Sequence, residues 1–227
     1  MRYQFDFSSV VDYWPSFLHG TLMTLQLTVI ATVVGLAIGV LCAIGRRSQV
    51  RLAQLVCGAY VEVVRNTPFL VQIFFIFFGL SSVGLRLPIF TAAILAMVVN
   101  VAAYSAEIVR AGMDSIHPGQ IEAAESLGMS TPQIYWYVIL RPALERVYPA
   151  LTSQFILMML SSSVTSQIAA EELTAIANTI QSDTFRSFET YIIVALLYLA
   201  LSILLRIGFW GFGLVIFPRR RKLGTPL

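Results

Sequence analysis

Polar side chains that could contact a solute are few in this sequence, and most lie within or near long apolar runs. Asn100 and Tyr104 are four residues apart, which places them on one face of a helix. Such groups in a membrane usually line a pathway or join helices by hydrogen bonds, and both alternatives are open for Asn100. A zwitterionic amino acid would suit the set. The other candidates for pathway contacts are Gln72, Glu107, Ser161 and Ser162.

Groups for catalysis or metal binding are sparse. His19 and His117 are isolated, and Cys42 and Cys57 lack the spacing of metal ligands, so we expect no metal site and two small buried thiols. The sequence has no phosphate-binding loop, so ATP and Mg would have to be bound by another chain. An intramembrane enzyme using Glu107 or the serines at 161–163 is one alternative function, and a channel-like or receptor module is the other.

The composition indicates an integral membrane protein. Of 227 residues, 57% are apolar and only 12% are charged, which is too apolar for a soluble domain. We predict an all-α fold in a single transmembrane domain, residues 1–227, with membrane lipid around it. Nothing favours binding to nucleic acid.

The apolar runs predict about five membrane-spanning helices. The first, Leu22 to Ile44, would be roughly 35 Å long, enough for the hydrocarbon core. Residues 52–80 are too long for one straight span, and Pro68 interrupts them. Either an interfacial helix precedes a shorter span, or one tilted helix kinks at residues 66–68. The third and fifth spans are predicted at 88–113 and 191–217, and residues 150–163 continue the fourth span.

Close spacings within the spans predict three local contacts. Glu62 and Arg65, and likewise Glu107 and Arg110, are one helical turn apart and can form ion pairs. The pair at 35 and 39, both glycines, allows a close contact with another helix of the same subunit.

A partly polar segment, residues 120–144, separates the third and fourth spans. Good helix formers around Glu122 predict a first short helix, which Gly128 would end as a left-handed cap. Ser130 and Gln133 have the spacing of a capping box, with Pro132 in the first turn of a second short helix. A helical unit of this kind between two spans is suited to bind a protein outside the bilayer.

This segment resembles the EAA loop of ATP-binding-cassette (ABC) importer permeases. The resemblance rests on Glu122, Ala123, Ala124, Gly128 and, further on, Val138 and Leu140. The blocks GTLMTLQLTVIATVVGLAIG, VEVVRNTPFLVQ, AAYSAEIVRAGMDSIHPGQIEAAESLGMS and FETYIIVALLYLALS resemble the polar-amino-acid branch, the histidine and glutamine permeases. About residues 16–217 are covered. Arg141 stands where the family usually has proline, and residues 161–165 lack the lysine of its Lys-x-Thr-Ser-Leu pattern.

The resemblance implies a type I ABC importer fold and a transport subunit that is not itself an enzyme. It implies a polar amino acid as substrate, an ABC ATPase dimer that binds ATP and Mg, a second permease chain of the same or a related kind, and an external solute-binding protein. The chain itself would bind no cofactor. Glu122, Ala123, Ala124 and Gly128 would carry the docking to the ATPase.

The distribution of basic residues predicts the orientation. Ten cations would lie on one side of the membrane and three on the other, a positive-inside bias. We therefore expect a multi-pass protein of the bacterial inner membrane with its N-terminus outside and both the 120–144 segment and the C-terminus in the cytoplasm. The ten are Arg46, Arg47, Arg51, Arg110, Arg141, Arg146, Arg219, Arg220, Arg221 and Lys222, and the three are Arg2, Arg86 and Arg186.

Overall fold

The computed structural model describes residues 4–217, whose regular structure is entirely helical. We number the helices in chain order. They are α1 (Ser8–Val11), α2 (Trp14–Arg47), α3 (Arg51–Arg65), α4 (Phe69–Ser82), α5 (Ile89–Asp114), α6 (Pro118–Ser126), α7 (Thr131–Ile168), α8 (Leu173–Thr184) and α9 (Ser187–Ile216). The all-α prediction is confirmed.

Four helices, α2, α5, α7 and α9, are long and apolar enough to cross a membrane, and the bent pair α3–α4 is a fifth candidate. The third predicted span agrees with α5 to within one residue at each end. The first was predicted too short, because α2 extends through aromatic residues to Trp14 and through basic residues to Arg47. Apolar length alone does not detect such polar or aromatic helix ends.

The α3–α4 pair is two helices with a 111° bend between them. Pro68 has an extended backbone directly before α4 and cannot donate a backbone hydrogen bond. It also disfavours helical geometry at the residue before it. The alternative of one tilted helix with a kink at residues 66–68 is therefore wrong, because the two helices are separated by a sharp break.

Helix α5 lies at the centre of the bundle and packs closely on α2. A Cβ placed on Gly35 would lie 2.7 Å from Val101, and one on Gly39 would lie 2.7 Å from Ser105. The two glycines therefore contact a helix of the same subunit, as predicted. A Cβ placed on Gly112, near the other end of α5, would likewise lie 2.7 Å from Val147 of α7.

The segment between α5 and α7 has the predicted turn. Gly128 has a φ of +73°, and the side chain of Gln133 accepts a hydrogen bond of 2.8 Å from the Ser130 amide in a capping box. The prediction of a second short helix is wrong, because that helix continues unbroken to Ile168 as α7. Its residues 134–140 form a π-helix, and this wider turn immediately before Pro142 accommodates the proline ring.

Candidate functional site

Helix α6 is the exposed part of the segment between α5 and α7. Glu122, Ala123 and Gly128 are exposed, whereas Ala124 is 4% exposed and packs on the core of its own subunit. The predicted docking residues therefore lie on two sides of the helix. Three of them face outward, and Ala124 fixes α6 to the bundle.

His117 begins α6, a role that the sequence analysis did not identify. Its Nδ1 accepts a hydrogen bond of 3.1 Å from the Gly119 amide, and Pro118 occupies the first helical position. A polar side chain that accepts from the first turn, followed by proline at the first helical position, is a common start of a helix. The His-Pro pair was the available signal.

A groove of about 580 Å³ lies between α6 and the π-helical part of α7. Beside it the side chain of Leu127 is 82% exposed, and Trp136 and Tyr137 are each 57% exposed. Exposed aromatic and aliphatic side chains around a groove are typical of a protein-binding surface. Leu127 was not among the predicted site residues, although it lies directly before Gly128.

Arg146 of α7 connects the groove to the end of α5. Its guanidinium donates hydrogen bonds to the Ser115 carbonyl, at 2.8 Å, and to the Ser115 hydroxyl. Together with the close approach of Gly112 to α7, these bonds hold α6 between two spans. A force applied to α6 therefore acts on α5 and α7 at once.

Two predicted pathway residues, Gln72 and Asn100, meet in the interior. The Asn100 amide donates a hydrogen bond of 2.9 Å to Gln72 Oε1, and both side chains are buried. The Gln72 amide in turn donates to the carbonyls of Val64, at 2.7 Å, and Thr67, at 2.9 Å. These bonds join α5 to the break between α3 and α4.

Tyr104 and Glu107 share one arginine. The Arg65 guanidinium lies over the Tyr104 ring, 5.6 Å from its centroid, and 3.7 Å from a Glu107 oxygen. The predicted Glu62–Arg65 pair is wrong, because Arg65 turns toward α5. Glu62 instead accepts a hydrogen bond of 3.2 Å from the Asn66 side chain.

Glu107 is the centre of a cluster of charged residues. It pairs with Arg110, as predicted, and also with Arg46 at the end of α2. Asp114 contacts Arg110 at 2.6 Å and Arg47 at 3.6 Å. With Arg65, four arginines meet two carboxylates, so the cluster joins α2, α3 and α5 and is positively charged overall.

Ser161 and Ser162 do not hydrogen-bond to the other predicted pathway residues. Their hydroxyls donate to carbonyls of their own helix, Ser161 to Leu157 at 2.9 Å and Ser162 to Met159 at 2.7 Å. From Ser162 the helix tightens into a 3₁₀ segment that packs against α4 and α5. The 3₁₀ segment therefore contacts the helices that carry Gln72 and Asn100, while the two serine hydroxyls are bonded within their own helix.

At the opposite end of the bundle from the α6 groove lies a buried carboxylate that the sequence analysis did not identify. Glu172 caps α8 by accepting hydrogen bonds from the amides of Thr174, at 3.0 Å, and Ala175, at 2.9 Å. Tyr198 of α9 donates to the same carboxylate at 2.7 Å. Burial raises the pKa of Glu172 above its ordinary value.

Most of the chain is similar to one protein family and to several known proteins. Residues 35–209 match the family described as binding-protein-dependent transport system inner membrane component. The chain is 37% identical over 201 residues to a probable glutamine ABC transporter permease protein of Bacillus subtilis (strain 168), covering 88% of this chain and 93% of that one. It is 37% identical over 204 residues to the glutamine transport system permease protein of Escherichia coli (strain K12), covering 89% and 93%. It is 35% identical over 208 residues to the nopaline transport system permease protein of Agrobacterium fabrum, covering 87% and 86%.

Solved structures have the same fold. A chain of an amino acid ABC transporter crystallised with histidines is 41% identical, with a TM-score of 0.85, and the match covers 93% of this chain and 99% of that one. A chain of the MetNI methionine ABC transporter in an inward-facing conformation is 24% identical, with a TM-score of 0.72 and coverage of 88% and 95%. The second likeness concerns the fold alone.

Proposed function

Because this chain belongs to the family of binding-protein-dependent transport system inner membrane components, we propose that it forms the membrane pathway of an ATP-driven importer for polar amino acids. It is a transport subunit and a multi-pass protein of the inner membrane, and the family works with an ATPase and a binding protein. The relatives named for glutamine and nopaline, and the structure with histidines, support a polar amino acid as the substrate.

The observation that carries the coupling role is the exposed surface around α6. Leu127 and the neighbouring groove offer an apolar contact, and Glu122 offers a charge for a basic residue of the ATPase. We assign the binding of ATP and Mg to that ATPase. Closure of an ATPase dimer would move α6, and the Arg146–Ser115 bonds would carry the movement into α5 and α7 as a rigid-body change.

The pathway is proposed to pass where α3, α4 and α5 meet. Asn100, Gln72 and Tyr104 supply amide and phenol groups, and the positive cluster around Glu107 would attract the substrate carboxylate. Ser161 and Ser162 would line the neighbouring wall, formed by the end of α7. In this proposal substrate competes for groups that otherwise join helices, so binding and helix movement are linked.

The assembly is proposed to contain two permease chains, identical or related, with their N-termini outside and their C-termini in the cytoplasm. The positive-inside bias supports this orientation, because Arg46, Arg47 and Arg146 lie at the end of the bundle that carries α6. The C-terminal cations 219–222, which contribute to the bias, lie outside the described residues.

Co-purification with the ATPase and uptake by the complete complex test this function. The chain would be co-expressed with an ABC ATPase and a solute-binding protein from the same organism, and uptake of labelled glutamine, histidine and arginine would be measured in vesicles. Leu127→Asp should abolish both co-purification and uptake, whereas Leu85→Asp, at an exposed residue of another loop, should leave both intact. Solute passage through the chain without any ATPase would contradict the proposal and favour the channel-like alternative.

A further inference from the structure

A groove of about 460 Å³ between α7 and α9 contains an arginine within a membrane-spanning helix. Arg206 is exposed in the groove, about ten residues before the end of α9 and so roughly 15 Å from it. Among residues 4–217 its guanidinium has no hydrogen-bond or ion-pair partner. A charge at such a depth is costly, so a specific anionic partner is expected.

Two further hydrogen-bond donors line the same groove. Ser153 of α7 is exposed and Trp210 of α9 is 54% exposed, and in the described part of the chain neither side chain is hydrogen-bonded. No acidic side chain is among the described residues that line it. A guanidinium, a hydroxyl and an indole N–H around one space are suited to bind the oxygens of a phosphate.

The surroundings of the groove are those of a surface that faces lipid. On the exposed side of α9, Ile203, Leu204 and Ile207 are 51%, 62% and 62% exposed. Acyl chains can pack along these side chains while the charged group stays at Arg206. Trp210 lies one turn closer to the end of α9, as expected of a tryptophan near the membrane interface, toward which the arginine side chain can extend.

We propose that the α7–α9 groove binds the headgroup phosphate of an anionic phospholipid, in the leaflet in which α9 ends. Arg206 supplies the charge, and Ser153 and Trp210 donate hydrogen bonds to the remaining oxygens. The site is separate from the Gln72–Asn100 pair, and it does not depend on which amino acid is transported. Basic pockets between membrane helices commonly bind such headgroups.

Lipid retention tests this site directly. The complete transporter would be reconstituted in vesicles of phosphatidylcholine and phosphatidylglycerol with matched acyl chains and extracted in mild detergent. Native mass spectrometry would then identify the lipids that remain bound. We expect wild type to retain phosphatidylglycerol in preference to phosphatidylcholine. Arg206→Gln should lower that preference about fivefold, the effect of one cation near a membrane surface. Ile203→Gln places the same residue one turn away, outside the groove, and should leave the preference unchanged.

Two milder variants keep the test valid if Arg206→Gln does not fold. Arg206→Lys should keep much of the preference, and Trp210→Phe should lose part of it while keeping the ring. Equal retention of both lipids by wild type, or full retention by all these variants, would overturn the proposal. So would loss of permease pairing in Arg206→Gln, which would identify an interface between chains. The proposal would also be overturned if Arg206→Gln needed more substrate than wild type for transport in pure phosphatidylcholine vesicles. That result would identify Arg206 as a substrate contact.

Discussion

Asn100 and Gln72 are bonded to each other in the interior, amide to amide, at 2.9 Å. The bond joins the middle of α5 to the start of α4, and Gln72 continues it to the carbonyls at the end of α3. A residue at this junction can hold helices together and meet a solute that passes between them.

Replacing Asn100 by alanine tests both roles. The change leaves a buried Gln72 oxygen without its donor, so we expect a lower thermal unfolding midpoint of the complex. A double-mutant cycle with Gln72→Ala should give a coupling near 0.6 kcal/mol, an average for polar contacts in membranes. The substrate concentration that half-stimulates ATP hydrolysis should also rise. If Asn100→Ala and Tyr104→Phe both keep wild-type substrate dependence, the pathway lies on another face.

Gly128→Val tests the coupling turn. The backbone at Gly128 has a φ of +73°, so valine would cost about 1 kcal/mol or more in local strain, although no atom lies near its Cβ. We expect normal membrane insertion and a sharp fall in substrate-stimulated ATP hydrolysis. Gly84 has a φ of +90° and equally open space in a different loop, so Gly84→Val is the matched control. Equal loss of coupling in both variants would remove the assignment to α6.

Arg65→Ala should be more harmful than Glu62→Ala. Arg65 contacts the Tyr104 ring and Glu107, whereas Glu62 bonds only within α3 and to Asn66. The arginine contacts are partly exposed, so a loss of about 0.5–1 kcal/mol in unfolding free energy is expected. Thermal unfolding of both variants measures the difference. Equal effects would indicate that the two side chains pair with each other after all.

Glu172 should make stability depend on pH. Its pKa is raised by burial above the ordinary 4.5, so the unfolded chain loses the proton first as the pH rises. The stability that Glu172 contributes is complete below pH 4.5 and declines as the pH rises through its folded-state pKa. In Glu172→Gln the side chain at 172 cannot ionise, so the thermal unfolding midpoint should vary less with pH across this range. Glu171→Gln, at the exposed neighbour, should keep the wild-type slope.

Topology can be read with fused reporters. Reporters fused after Leu227 and at Ser48 should show activity only in the cytoplasm. A reporter fused at Ser82 should show activity only outside. This pattern follows from the positive-inside bias and from α3–α4 crossing as one unit. Activity of all three on one side would contradict the orientation.

Local sequence signals predicted much of this structure. The length of the apolar run located α5 correctly. The predictions of a glycine turn at 128 and of a capping box at 130–133 were also correct, and Glu107 pairs with Arg110 as predicted. What failed depends on distant residues. Arg65 lies one turn from Glu62, yet α5 offers it both a carboxylate and an aromatic ring, and only the fold brings α5 near. Ala124 likewise faces inward because the bundle lies on that side.

The break between α3 and α4 has a consequence for how the chain is made. Each helix alone is too short to cross a hydrocarbon core of about 30 Å. The carbonyls of Val64 and Thr67 at the break are satisfied by Gln72, which lies on α4. If α3 entered the bilayer before α4 had been synthesised, the Thr67 carbonyl would lack its donor in lipid at a cost of several kcal/mol, whereas the Val64 carbonyl would keep a bond from the Thr67 hydroxyl. We therefore expect α3 and α4 to enter the bilayer together, as one bent unit, and not one after the other.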